Sequence, residues 1–281
     1  MQDLNRLRRR TARSSFTIAI LVAFSILVGA SLRYIHAASP AAGASSDDTR
    51  RTPVLIELFT SEGCSSCPPA DALLERLDRS QPITGAELIV LSEHVDYWNH
   101  IGWKDPYSSR EYSERQSAYA EHFGLSSIYT PQMVVDGHIE LVGSDESRAI
   151  QAVENETKVQ KAPLSLSAIH FESNNKISLH VETGPLPPYI PAKSANLFLA
   201  IADDSDESHV NGGENDGRTL KHVAVLRDLV PVGTVGRIDK FSRDITVKLG
   251  NGNRGNLRLV AILQEPATGR VWGAVSARLS N

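Results

Sequence analysis

The chain has 281 residues, 41% of them hydrophobic and 22% charged, with two cysteines. Those values exclude wholesale disorder and fibrous repeats, and a chain of this length buries a core without disulfide staples. The formal net charge is −4, but residues 1–37 hold six Arg against one Asp, so the remaining 23 basic and 32 acidic residues leave −9. A body that acidic argues against nucleic acid as the main partner, because affinity there needs clustered Lys and Arg.

Arg6 to Arg13 form a basic flank, and residues 16–32 follow as an uncharged apolar run of 17. A signal-peptide core is about 7–15 residues and a membrane span about 20, so the run fits either. Ile35-His36-Ala37 and Ala42-Gly43-Ala44 offer small-residue cleavage sites. Residues 1–37 therefore read as a signal peptide or membrane anchor, and residues 38–52, rich in Ala, Ser, Pro and Asp, as a linker. The folded part is expected in the periplasm or outside the cell, tethered to the inner membrane by residues 16–32 if they are not cleaved. Disulfides persist in that compartment.

Residues 54–60 (VLIELFT) are almost continuously apolar, as a strand buried on both faces requires. From residue 68 the spacing turns helical. Leu73, Leu74 and Leu77 share a face with Ala70, and two prolines open the helix where a missing N–H costs least. Residues 88–92 (LIVLS) read as a second buried strand. Residues 108–123 read as a helix, with Ser108 and Glu111 as a capping box and Gly124 as its stop. Residues 132–135 read as a strand, and Asp136-Gly137 as a hairpin turn that pairs residues 138–142 with it. A helix over residues 145–159 completes the order β-α-β-α-β-β-α, which predicts a mixed α/β domain over residues 53–162. Seven strand-like runs follow (164–170, 176–182, 196–202, 220–229, 241–249, 257–264 and 271–278). They predict an all-β, sandwich-like C-terminal domain over residues 163–281.

Both cysteines lie in Gly63-Cys64-Ser65-Ser66-Cys67-Pro68, between the first strand and the first helix. Two intervening residues let the sulfurs meet across one turn. Closing so small a loop stabilises a fold little, because that effect grows with loop length, so reactivity is the better reason for the placement. The free N–H groups of a helix N-terminus favour a thiolate, and the thiolate is what attacks disulfides. Cys64 is expected as the reachable, attacking cysteine, and Cys67, one turn inside, as the less exposed resolving one. A structural disulfide is one alternative. A copper site formed by Cys64, Cys67 and His94 is another. A closed zinc site lacks its second cysteine pair. Glu57, a carboxylate in an apolar strand, should have a raised pKa and could exchange a proton with Cys67; a Glu on an exposed strand face is the bland alternative.

A strand, a CxxC at a helix start and the β-α-β-β-α that follows resemble the thioredoxin fold. The resemblance implies that Thr130-Pro131 is the family's Thr–cis-Pro element, lying beside the CxxC and holding the substrate chain. It also likens Glu57 to the acid buried beneath the resolving cysteine, one residue further away than usual. The dipeptide between the cysteines is Ser-Ser rather than Gly-Pro, so no redox potential carries over. The runs FTSEGCSSCPPADALL (59–74), HVDYWNHIGWKDPYS (94–108) and GENDGRTLKHVAVLRDL (213–229) resemble the bacterial secreted family known as domain of unknown function 1223, thioredoxin-like with a β-rich tail.

His94, Asp96, His100, Tyr97, Trp98 and Trp103 read either as a substrate- or metal-binding wall or as a packed loop. His209, Glu214, Arg218 and His222 read either as a contact site or as a solvated loop. The leading expectation is a periplasmic thiol–disulfide oxidoreductase. In it Cys64, Cys67 and Glu57 are catalytic, and Thr130, Pro131 and Trp98 hold the partner. It needs no cofactor, acts on protein thiols or disulfides, and touches the membrane through its N-terminal segment alone. A copper carrier and a non-catalytic binding module on the same fold are the alternatives.

Overall fold

The computed structural model describes residues 51–250 and 254–279. The expected signal or anchor and nearly all of the linker lie outside the described residues. Among the described residues no helix is long and apolar enough to cross a membrane.

The first segment holds β1 (Thr52–Thr60), α1 (Pro68–Ser80), β2 (Ala86–His94), α2 (Arg110–Phe123), β3 (Gln132–Val135), β4 (Ile139–Val142) and α3 (Glu146–Glu156). β1 pairs parallel with β2 and antiparallel with β3, so it is buried on both faces, which is why its run is nearly all apolar. Val54, Ile56 and Leu58 pack on Leu73, Leu74 and Leu77 of α1, with Met133 and Val153. Leu55 faces the other way, against Ile89, Leu91 and Tyr112. Ser109, one residue later than expected, caps α2 by accepting the Glu111 N–H, and Gly124 ends it at φ 67°. Asp136 and Gly137 turn the β3–β4 hairpin at φ 48° and 61°, a region open to Asp and Gly but costly for most residues.

The second segment forms β5 (Leu164–Glu172), β6 (Lys176–Thr183), β7 (Ala195–His209), β8 (Thr219–Val235), β9 (Phe241–Lys248), β10 (Leu257–Gln264) and β11 (Val271–Leu279). Four of these strands extend the first segment's sheet. The order is β11-β10-β7-β8-β2-β1-β3-β4, and β8 lies parallel to β2 where Ser92 faces Val225. The boundary expected between residues 162 and 163 therefore separates no sheet, and the described residues belong to one compact unit. The physical reason is that β10 is buried at every position, so it needs cover on both faces. Leu259 and Leu263 pack, with Leu197 and Leu199 of β7, against Ile177, Leu179 and Val181 of β6 in the β5-β6-β9 sheet. Val260 and Ile262 pack against Leu55 and Tyr112. A sandwich is present, but one of its sheets is the shared one.

Asp78 of α1 ties the two segments. Arg258 of β10 donates to both of its oxygens (2.8 and 2.9 Å), and Arg278 of β11 to one of them (2.6 Å). Removing the carboxylate takes away two of the hydrogen bonds to buried Arg258 and leaves Asp204 as its carboxylate partner, a loss of about 3 kcal/mol. Urea unfolding of Asp78→Ala should show that loss, with circular dichroism and tryptophan fluorescence falling together in wild type and variant alike. Two separated transitions in the wild-type protein would mean that the segments fold independently.

Candidate functional site

Cys64 and Cys67 are joined in a disulfide, with Cα atoms 5.4 Å apart. After β1 the Cys64 N–H donates to the Ser61 carbonyl (3.1 Å) and the Cys67 N–H to the Cys64 carbonyl (3.2 Å). Cys67 is the N-cap of α1, directly before Pro68 and Pro69. Two expectations are corrected. The helix starts after Cys67 with two prolines, which carry no N–H, and the Ala70 and Asp71 N–H groups donate to the Cys67 carbonyl (2.8 and 3.1 Å), so Cys64 stands outside α1 and the helix start leaves no free N–H for a thiolate. Both cysteines are 0% exposed, so neither is more reachable than the other; Ser65 and Ser66 between them are exposed.

The burial is explained by what packs on the turn. β7 and β8 continue past the sheet as a two-stranded arm, paired out to His209 and Thr219. Its tip reaches the cysteines. Asn215, itself fully buried, donates through Nδ2 to the carbonyls of Glu62 (2.8 Å) and Cys64 (3.0 Å), and Arg218 donates to its Oδ1 (2.7 Å). Glu214 accepts the Ser65 N–H (3.0 Å), and hydrogen bonding by the Ser65 side chain, together with that N–H, holds its carboxyl below the usual range. Lower on the arm, Ser208 Oγ donates to Glu62 Oε1, and His222 Nε2 lies 3.3 Å from the same oxygen.

On the other side a side chain on Gly63 would meet Trp98 Cβ at 3.1 Å. Trp98 Nε1 donates to Thr130 Oγ1 (2.8 Å), and the Thr130–Pro131 bond is cis. A Cβ on Gly143 would lie 3.1 Å from Pro131 Cβ and 3.2 Å from Ala70 Cβ, so Pro131 sits beside the first turn of α1. Trp98, Thr130, Pro131 and the cysteine turn are thus brought together.

A set of buried charges lies against this turn: Glu62, Asp71, His94, Asp105 and His222. Asp105 Oδ2 meets His94 Nδ1 at 2.7 Å and accepts the Glu62 N–H at 2.8 Å, while its Oδ1 accepts the Tyr107 N–H at 2.9 Å. Burial alone would lower His94 and raise Asp105. Their mutual attraction, with the backbone donors, outweighs it, raising His94 and holding Asp105 at about 2. Asp71, four residues past Cys67, accepts the Thr60 hydroxyl (2.9 Å) and stands 4.0 Å from His222 Nδ1; burial raises its pKa. The His94 and His222 rings meet edge to face at 4.6 Å, and His94 Nε2 and His222 Nδ1 have no hydrogen-bond partner among the described residues. Among the described residues no group of three or more His, Cys, Asp and Glu is arranged to hold a metal ion. Of the expected copper set, the sulfurs are bonded to each other and His94 Nδ1 is turned to Asp105.

Glu57 does not lie beneath Cys67. Strand residues alternate faces, and where Leu58 faces α1, Glu57 faces α2. There Arg115 Nε donates to Oε1 (2.7 Å) and the Tyr119 hydroxyl to Oε2 (2.6 Å). Glu93 of β2 shares the guanidinium at 3.5 Å, and burial, reinforced by the Glu57 charge, pushes its pKa well up. Glu57 is therefore not placed to relay a proton to Cys67.

Asn215, Asp71 and Asp105 carry no motif that marks them as site residues. The one signal for Asp105 and Asn215 is the density of His, Asp, Asn and Glu in residues 94–105 and 209–222; Asp71, in the first turn of α1, has none. Asp96, which accepts the Ser113 hydroxyl (2.6 Å), and His209, which faces Thr219 (3.3 Å), do not join the cluster.

Fold and site together define a mixed α/β protein whose CxxC disulfide is sealed beneath a β-arm. The chain belongs to the family described as protein of unknown function (DUF1223), whose model matches residues 55–264. Among solved structures it is similar to a structural-genomics target from Agrobacterium tumefaciens, at 25% identity and a TM-score of 0.61, over 82% of this chain and 96% of that one. It is also similar in fold to HBP35 of Porphyromonas gingivalis, at 12% identity and a TM-score of 0.60, over 82% of this chain and 76% of that one. No curated protein matches significantly.

The Asp105 pairing makes stability depend on acid. Its folded-state value of about 2 lies below its ordinary 3.8, so its stabilisation is full above about pH 4 and is lost as pH falls toward 2. The amount is about 2 kcal/mol. Urea midpoints measured from pH 2 to 5 should show this acid limb in the wild-type protein and a flatter one in Asp105→Asn. An equal limb in both would refute the assignment.

Proposed function

We propose that the protein is a thioredoxin-like thiol–disulfide oxidoreductase of the periplasm or extracellular space, with protein thiols or disulfides as substrates. The observation that carries the reading is that its only two cysteines are bonded to each other at a strand–turn–helix junction with Pro131 beside the helix start. A bond closing so short a loop adds little stability, which leaves exchange as its use. The strand order β2-β1-β3-β4 with β3 antiparallel to β1 supports the thioredoxin-like reading of residues 53–162.

In the oxidising direction, a partner thiolate attacks Cys64 Sγ, the bond to Cys67 breaks and a mixed disulfide forms. The partner's second thiolate then attacks its own sulfur in that bond and frees Cys64. The partner leaves with a new disulfide, and the two electrons and two protons it gives up remain on Cys64 and Cys67 as thiols. The reverse sequence reduces a partner. The Ser66 hydroxyl, 3.3 Å from Cys64 Sγ and on an exposed residue, can donate to a thiolate there, which favours Cys64 as the exchanging sulfur.

The test is a pair of variants of the full chain. Cys67→Ser should accumulate mixed disulfides on Cys64, seen as reductant-sensitive adducts on non-reducing gels, and Cys64→Ser should not. The opposite pattern would reverse the roles. No adduct on either variant, with no exchange between wild-type protein and a dithiol peptide, would end the reading.

A further inference from the structure

The sulfurs of Cys64 and Cys67 cannot react where they lie, since exchange needs direct approach to sulfur and both residues are 0% exposed. The cover that can leave is the tip of the β7–β8 arm. Its grip on the cysteine turn is a short 3-10 turn, Gly213–Asn215, which supplies the two Asn215 bonds to the Glu62 and Cys64 carbonyls and the Glu214 bond to the Ser65 N–H. All three bonds end on backbone atoms. The tip, Val-Asn-Gly-Gly-Glu-Asn-Asp-Gly-Arg over residues 210–218, has one apolar side chain, so beyond the close backbone packing of Gly212 and Gly213 on Gly102 and Trp103 little hydrophobic contact holds it down. Gly213 and Gly217 sit at φ 72° and 75°, a backbone region where glycine turns freely. Below the tip, the arm is anchored by strand pairing and by Ser208 and His222 on Glu62.

We infer that residues 210–218 are a gate over the disulfide, that Asn215 is the positioning residue that latches it, and that the gate opens on these glycines while the arm stays paired. The inference rests on the oxidoreductase reading for its purpose, though not for its test. A partner must displace the tip before it meets sulfur, and the displaced tip frees two carbonyls and one N–H of the cysteine turn for the partner's own backbone.

The experiment reduces the oxidised full chain with dithiothreitol. The reagent's thiolate attacks one sulfur, the Cys64–Cys67 bond breaks, and its second thiol closes a cyclic disulfide, leaving both cysteines as thiols with the reagent's two protons. Asn215→Ala removes the latch, and Asn215→Asp keeps its size but turns the donor into an acceptor. Both should be reduced about tenfold faster or more than wild type, as loss of two hydrogen bonds from the closed state implies. Asn215→Gln should recover part of the slow rate, which loss of packing alone would not predict. Equal rates in folded variants would overturn the gate. If the variants do not fold, hydrogen exchange on the wild-type chain decides. Residues 210–218 should exchange faster than the paired strands below them, and exchange no faster than global unfolding would overturn it. A protein that exchanges with partners but shows no acceleration loses the gate alone. One that accelerates but never exchanges with a partner loses the oxidoreductase reading alone.

Discussion

The placement of β8 beside β2 governs the rest of the molecule. Ser92 and Val225 face each other where the first segment's sheet meets the second's, and from that contact β8 runs along α1 with His222, Val223 and Ala224 buried. Without it the first segment would end its sheet at β2, leaving an unpaired edge. With it, the β7–β8 arm is aimed at the one place in the chain that holds cysteine. The shared sheet and the sealed disulfide are consequences of a single strand pairing.

The same pairing explains why so many charges are tolerated near the turn. Glu62 is fully buried, yet its carboxylate meets the Trp103 indole N–H (2.8 Å), Ser208 and His222, and its carbonyl is held by Asn215. Three of those four partners come from the arm. A buried carboxylate is costly unless fully hydrogen-bonded, so the arm and the turn require each other. On the far face, Arg115 with Glu57, Tyr119 and Gln264, and with Glu93 at 3.5 Å, forms a second network that binds α2 to β1 and β10. It has no contact with the cysteines and reads as structural.

What the sequence makes legible is local. The period of 3.6 in residues 70–77, the alternation after residue 163, the glycine at 124 and the Asp-Gly at 136 each follow from backbone preference within a few residues, and each element they predict is present. Trp98 and Thr130-Pro131 also fall beside the cysteine turn. The failures concern relations between distant segments. Alternation places Glu57 opposite Leu58, but nothing local says which face receives α1. Alternation and turn signals predict seven later strands but not that four of them join an existing sheet; the one hint is that residues 257–264 are apolar on both faces apart from Arg258 and Gln264. The burial of the cysteines is invisible locally because their cover lies far along the chain, the Asn215 contact spanning 151 positions.

That span has a kinetic side. A polypeptide is made from its N-terminus, and its contacts form only when both participants are available. Cys64 and Cys67 therefore emerge long before Asn215, and Asp78 waits longer still for Arg278, 200 residues on. Until Asn215 is made, the arm that covers the pair in the finished fold is missing and the cysteine turn lies open. The arm arrives late: the contact that covers the pair in the finished fold forms only once another 151 residues have been made.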